Sequence, residues 1–498
     1  MRKMRIWGCL FYGLLVSGDA QAGLIQIGNQ KQFFIDDYLI ESLTATRQVL
    51  NPAQKVYHNP IVRPEKPWEG NDVRVSKVIY EEEEEIFRMW YSTQNYQARQ
   101  GQGEIVVDSK GGKLCIAISK DGLNWEKPNL GKVQFRNSWE NNILPREEFR
   151  PYFFKDRHEE DPARRYKGFE RKGSTTTPGM QFDLYFSPDG FQWTPYEKNP
   201  VIDTSPRQGR WGPTVFMGWD SIRQTYAVHM ENCAHQRCPV GKRLIGRSES
   251  PDMIHWSQPE TIIIPDEKDY PDLQFYHMPV IVYEGMYVGM LWNFRTTNTS
   301  ILPQAVFSRN GIHYNRNYRQ PFISPGPNGA FDSAVVYSQI LLVHKGSLLN
   351  YYTGVNWRSP ESLLNLGDKA LGAVGLAITP PDGFVSLDGV HGHERQRFQF
   401  SELMTRSFTF KGNELYLNVR SALKQWGAGP CEVRVQILGA DHHPIEGYSF
   451  DDSDPITTTG TGHVASWKGK SDVSQLKNIP IKLKIRFKNA KLYSFQFK

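Results

Sequence analysis

The sequence has five cysteines in 498 residues and no pair of C-x-x-C motifs, which gives a structural zinc site no ligand set. It has no low-complexity tract of any length, so its composition is that of an ordinary folded chain. An excess of one charge is also lacking. Lys and Arg number 59 against 53 Asp and Glu, a formal +6 with no basic stripe, and nucleic acid is not an expected partner. Beyond the N-terminus there is no apolar run long enough to cross a bilayer, so no membrane span is expected. The N-terminus itself reads as a secretory signal over residues 1–22. Arg2, Lys3 and Arg5 form a basic start, Ile6 to Val16 an apolar stretch, and Ala20-Gln21-Ala22 a small-residue cleavage site. Its removal lowers the formal charge to about +4, and the mature protein is expected to be secreted or periplasmic. Cys9 leaves with the signal. Export permits disulfides, and Cys233 and Cys238 are close enough to pair across a loop; four unpaired, mostly buried thiols, with Cys115 and Cys431, is the other reading.

What the chain has in abundance is aromatic side chains, 13% of residues, which favour strands and whose faces also stack on sugar rings. It also has an internal repeat. A strand ending in Ser is followed by Asp-Gly and then by an aromatic six residues after the Ser. The copies begin at Ser119 (Ser-Lys-Asp-Gly-Leu-Asn-Trp125) and Ser187 (Ser-Pro-Asp-Gly-Phe-Gln-Trp193). A third, from Ser250 to Trp256, has lost its Gly, and a fourth, from Ser308 to Tyr314, has Asn for Asp. A fifth, degenerate copy is Thr379-Pro-Pro-Asp-Gly-Phe384. The copies are spaced 68, 63, 58 and 71 residues apart, room for about four strands each. The motif's chemistry is structural: Asp-Gly supplies a positive-φ turn, the Ser and Asp side chains bond the turn's own backbone, and the aromatic fills the gap between neighbouring sheets.

Strand-like runs precede each copy in a constant order, such as Val73–Tyr80, Ile86–Tyr91 and Leu114–Ser119 before the first. The acidic run Glu81 to Glu85 falls between two of them and reads as a solvated hairpin tip. The fold class expected is therefore all-β, a five-bladed β-propeller over 55–395. The segment 23–54 is expected to pack on or close the propeller. Alternating runs such as Val433–Leu438, Ile481–Phe487 and Leu492–Phe497 make 396–498 a β-sandwich.

The repeat is the Asp-box pattern, similar to that of sialidases and other propellers. A five-bladed propeller followed by a sandwich resembles glycoside hydrolase family 32, with blades like those of family 43. Phe34-Ile-Asp-Asp-Tyr-Leu-Ile40, Trp68-Glu69-Gly70 and Gly383-Phe-Val-Ser-Leu-Asp388 carry the resemblance. The Trp-Met-Asn-Asp-Pro-Asn-Gly signature and the Glu-Cys element of family 32 are absent. The resemblance implies glycosidic-bond hydrolysis of a poly- or oligosaccharide by carboxylates at the starts of the innermost strands, one donating a proton while an ionised one activates water or attacks carbon. Blade one offers Glu69 and Asp72, blade two Glu147 and Glu148, and blade five Asp332. Blade three begins Arg210-Trp211-Gly212-Pro213 with no acid, so blade four is expected to supply Asp272 and His277 instead. The candidate catalytic residues are thus Asp72, Glu148, Asp272, His277 and Asp332, and the candidate substrate contacts Trp68, Glu69, Arg150, Trp211 and Tyr276. Asp72 and Asp332 are expected to project into the central funnel. No organic cofactor is expected, with room for a structural divalent cation, and the oligomeric state is left open. Two other readings stand beside hydrolysis: a carbohydrate-binding propeller without catalysis, and a sialidase-like hydrolase.

Overall fold

The computed structural model describes residues 24–150, 152–172, 181–203, 214–232, 242–389, 399–421 and 431–498. Residues 1–23, where a signal is expected, and Trp211, Cys233 and Cys238 lie outside the described residues, while Cys115 and Cys431 are buried free thiols. Among the described residues the regular structure is nearly all β, with one short α-helix, Pro360–Leu366, and no helix long and apolar enough to cross a membrane.

Each repeat unit builds a small antiparallel sheet. The second unit runs Tyr152–Lys155, Tyr166–Lys172, Gln181–Ser187 and Thr194–Pro195 in that order across its sheet, and the third runs Thr214–Asp220, Thr225–Asn232, Leu244–Ser250 and Glu260–Ile263. In the fourth unit the first position is split. Leu273–Phe275 and Val280–Tyr283 both pair with Met286–Arg295, one at each end, and Ser300–Ser308 lies on its other side. The sheets of the fifth unit (Val335–His344, Ser347–Val355, Gly372–Thr379) and the first (Asp72–Glu81, Ile86–Gln100, Ile105–Ser119) are joined by one parallel pairing, Gly372 with Asp72.

The Asp boxes form the turns their sequence implies. Ser119 Oγ accepts from the Gly122 N–H at 2.9 Å, and Asp121 Oδ1 accepts from the N–H groups of Leu123 and Asn124, both at 2.8 Å. Ser187, Asp189 and Gly190 repeat the arrangement, as do Ser308, Asn310 and Gly311. The trailing Trp256 packs on Phe169 and Phe216, bridging the second and third sheets, and Trp125 packs on Tyr351 of the fifth. Gly311 sits at φ 75°, where an added Cβ would come 2.8 Å from the Tyr287 ring. Gly190 sits at φ 82°, but its nearest atom would be 3.4 Å away. Gly190→Ala is therefore expected to cost about 1–2 kcal/mol, the price of a left-handed residue, and Gly311→Ala a further 1–3 kcal/mol of overlap. Urea denaturation of the two variants checks this; equal costs would mean that the Tyr287 ring yields freely.

A second repeated device was not visible in the sequence. Each of three inner strands ends in or just before a buried carboxylate that accepts a hydrogen bond from a tyrosine early in the second strand of the next sheet. The pairs are Glu81 with Tyr166 (2.7 Å), Asp156 with Tyr226 (2.9 Å) and Asp220 with Tyr287 (2.7 Å). A cation completes each: Lys155, Lys167 and Arg247. Only Glu82 to Glu85 of the acidic run are solvated; Glu81 is one of these buried ties.

The N-terminal segment meets the fifth repeat sheet only at its end, where Gln54–Lys55 pairs with Gly372–Thr379, while its earlier strands join the C-terminal sheets. Ile25–Gly28 and Ile40–Thr44 pair into one six-stranded sheet with Phe408–Phe410, Ile481–Lys488, Ser401–Thr405 and Glu432–Gly439. Gln32–Phe33 and Thr46–Leu50 pair into a second, with Val385–Gly389, Leu415–Ser421, Ala490–Phe497 and Gly460–Val464. A continuous apolar core that includes Phe34, Leu417, Val435, Ile485 and Phe495 is drawn from both sheets. The degenerate fifth box has a distinct role. Its Asp382 is buried and accepts from Lys31 Nζ (3.0 Å), Tyr283 Oη (3.1 Å), Asn418 Nδ2 (3.1 Å) and Ser494 Oγ (2.7 Å), tying the repeat sheets to the C-terminal ones.

Candidate functional site

The first residues of the inner strands converge on a cavity of about 450 Å³. Arg74 enters from the first repeat, Tyr152 from the second and Thr214 from the third. The fourth gives Tyr276, His277, Trp292 and Phe294, and the fifth Tyr337, Gln339 and, just beyond its second strand, Arg358.

Local sequence explains how these side chains are presented. The inner position of the fourth sheet is interrupted over Tyr276–Pro279. The Tyr276 N–H donates to the Trp292 carbonyl (3.0 Å) and the Trp292 N–H to the His277 carbonyl (2.8 Å), so the interruption stays bonded to its neighbour. The Trp292 indole is fixed by donating to the Ser338 carbonyl at 2.7 Å. Gln339 accepts from Thr353 Oγ1 at 2.6 Å through its amide oxygen, which leaves its NH2 for a ligand. Asp72 and Arg74 lie two apart on one strand, hence on one face, and Asp72 takes Arg74 Nε (3.0 Å) and Nη2 (2.7 Å) as a fork. Gly372 makes room for that carboxylate: a Cβ there would meet it at 2.4 Å.

The electrostatics follow. Burial works against the Arg74 charge, yet Asp72 more than offsets it and holds the guanidinium above its ordinary range. The guanidinium also lies 5.5 Å from the Tyr96 ring centre and 5.7 Å from that of Tyr337. Burial lowers the His277 pKa to about 4, against the opposing pull of a hydrogen bond to the Thr214 backbone. His277 Nε2 has no protein partner, so Nδ1 makes that bond and the ring is neutral with a bare Nε2 acceptor. Behind it, His229 is buried and held well below the usual range by burial and then by Arg247.

Of the residues expected from sequence, the cavity gathers Tyr276 and His277. Trp211 lies outside the described residues, and the remaining ones go elsewhere. Asp72 is fully buried behind Arg74 and does not open into the cavity. Asp332, also buried, is taken by Lys55 Nζ (2.5 Å) and Tyr352 Oη (2.9 Å). Glu148 pairs with Lys132 at 2.5 Å on a short 3-10 turn, Arg146–Glu148. Asp272 is bound by Thr297 Oγ1 (2.6 Å) and Arg295 Nε (2.6 Å), the Thr297 bond first among the causes that bring its pKa to about 2. A carboxyl so placed is ionised and holds no proton to donate. Glu69 is a buried tie for Lys127, Tyr91 and the N–H groups of Glu65 and Lys66. Trp68 donates to Asn142 and packs on Phe135, and Arg150 lies over the Tyr185 ring at 4.0 Å. The lining thus has no carboxylate among the described residues. Among the described residues, no three His, Cys, Asp or Glu side chains come together to hold a metal ion.

No protein-family model and no curated protein matches the chain. Solved structures similar in fold include a glycoside hydrolase (14% identity, 69% of this chain and 95% of that one, TM-score 0.45). Another is a glycosyl hydrolase from Bacteroides ovatus (14% identity, 67% and 94%, TM-score 0.43). A third is a β-1,2-mannobiose phosphorylase from Listeria innocua (12% identity, 65% and 96%, TM-score 0.43). Arg74, Tyr337, Gln339 and Arg358 were not legible as site residues; only Arg74, two positions after Asp72 on one strand face, carried a signal.

Proposed function

We propose that the chain is a carbohydrate-active five-bladed β-propeller with a C-terminal β-sandwich, and that its saccharide binds where the inner strands converge. One observation supports this above the rest. The cavity combines fixed aromatic faces (Tyr276, Trp292, Tyr337) with separate polar groups (Gln339, Arg74, Arg358), the mixture that holds a ring carrying hydroxyl groups. Glycosidic-bond cleavage is the first reading of its reaction, and it needs an acid other than Asp72, which lies buried behind Arg74. Capture without cleavage is the second reading, favoured by the lack of a lining carboxylate among the described residues.

The test is to incubate the protein with a panel of polysaccharides, follow release of reducing ends, and measure binding of the fragments by calorimetry. Tyr276→Ala is expected to weaken binding at least tenfold, as truncation of a pocket aromatic does. Affinity should be flat from pH 8 to 5. It should fall towards pH 4, where His277 takes a proton and an uncompensated charge appears in the cavity wall. Binding without release selects capture. No binding and no release by any member of the panel overturns the proposal.

A further inference from the structure

We infer that the saccharide taken by this cavity is anionic, carrying a carboxylate or a sulfate ester, and that Arg358 is the residue that reads its charge. The inference rests on the cavity's being a saccharide site and concerns which class of saccharide fits it.

The charges on the wall do not balance. Arg74 is offset by Asp72, which occupies its Nε and Nη2 and leaves Nη1 without a carboxylate. The nearby Asp272 is offset by Arg295. His277 is neutral by burial. Arg358 remains: among the described residues its guanidinium makes no ion pair, and no lining residue is an acid.

Arg358 is also held in place by its backbone. Its N–H donates to Ser362 Oγ at 3.0 Å, and its carbonyl accepts from Thr299 Oγ1, another lining residue, at 2.7 Å. Ser362 belongs to the capping box that starts the helix Pro360–Leu366, so the loop is fixed at both ends of the residue. Beside it, Trp357 packs on Tyr96, whose ring also flanks Arg74. An exposed arginine carrying no partner loses little by standing in water, and a neutral sugar entering beside it gains nothing from the charge. A planar carboxylate or a sulfate oxygen gains a charge-assisted hydrogen bond in a site already partly stripped of water.

The experiment compares three probes by calorimetry at low and at physiological salt: an oligogalacturonide, its carboxyl-reduced neutral counterpart, and a sulfated galactan oligosaccharide. One of the two acidic probes is expected to bind at least tenfold more tightly than the neutral one, and which of them does identifies the group. In Arg358→Gln that ratio should fall to within about twofold, and Arg358→Lys should restore part of it. The ratio should also shrink as salt rises. Equal binding of acidic and neutral probes, or a preference that survives Arg358→Gln, overturns the anionic assignment while leaving the saccharide site standing. If none of the three binds and the wider polysaccharide panel is also refused, the site reading itself falls.

Discussion

Replacing Asp220 with alanine is expected to destabilise the protein by about 3–5 kcal/mol, the cost of breaking a buried pair from one side. Asp220 is fully buried, takes Arg247 Nη2 at 2.5 Å and Tyr287 Oη at 2.7 Å, and caps the turn through the N–H groups of Ile222 and Arg223. Its removal strands a guanidinium whose side chain is 1% exposed, beside a His229 ring kept neutral by burial and then by this charge, with the partly buried Glu249 still next to it. The Tyr287 hydroxyl loses its acceptor at the same time, and with it the tie between the third and fourth sheets. Asp220→Asn keeps an acceptor for both groups and should cost roughly half as much. Urea midpoints of the two variants decide the matter. A loss below 1 kcal/mol for Asp220→Ala would mean that the carboxylate–tyrosine tie contributes little beyond shape.

Asp72→Asn is expected to act on stability as well as on the site. A funnel carboxylate could be neutralised with little structural effect, but Asp72 is fully buried and holds Arg74 by two nitrogens. We expect a loss of about 2 kcal/mol, less than for a fully buried pair because 28% of the Arg74 side chain remains exposed. Arg74, released from its fork, should then weaken saccharide binding several-fold. Thermal unfolding and calorimetry on one sample separate the two effects. An unchanged melting temperature with lost activity would restore Asp72 to a directly chemical role.

The repeat and the nearly all-β class could be read because the Asp box is a local device. Its Ser, Asp and Gly satisfy one another within six residues, so the pattern survives in sequence. Of the expected site residues, Tyr276 and His277 do line the cavity at the starts of inner strands. Which other residues face it was not readable. Asp332 and Glu69 occupy the right stretches but are captured by Lys55 and Lys127, partners 277 and 58 residues away along the chain. Arg358 enters from a helix-capping loop with no periodicity to mark it. The ties Glu81–Tyr166, Asp156–Tyr226 and Asp220–Tyr287 escaped for a related reason: their partners are separated by 85, 70 and 67 residues, and each looks alone like an ordinary turn acid or strand aromatic.

The single pairing between Gly372 and Asp72 has a consequence for how long the protein lasts once folded. It is the only ladder contact joining the first and last repeat sheets among the described residues, and Arg74 stands on one side of it while Tyr337 stands on the other. Unfolding that begins by parting those two sheets would begin beside the cavity. A ligand touching both walls would then act as a clasp, raising the barrier to opening and lengthening survival against proteases by more than its equilibrium affinity alone would give.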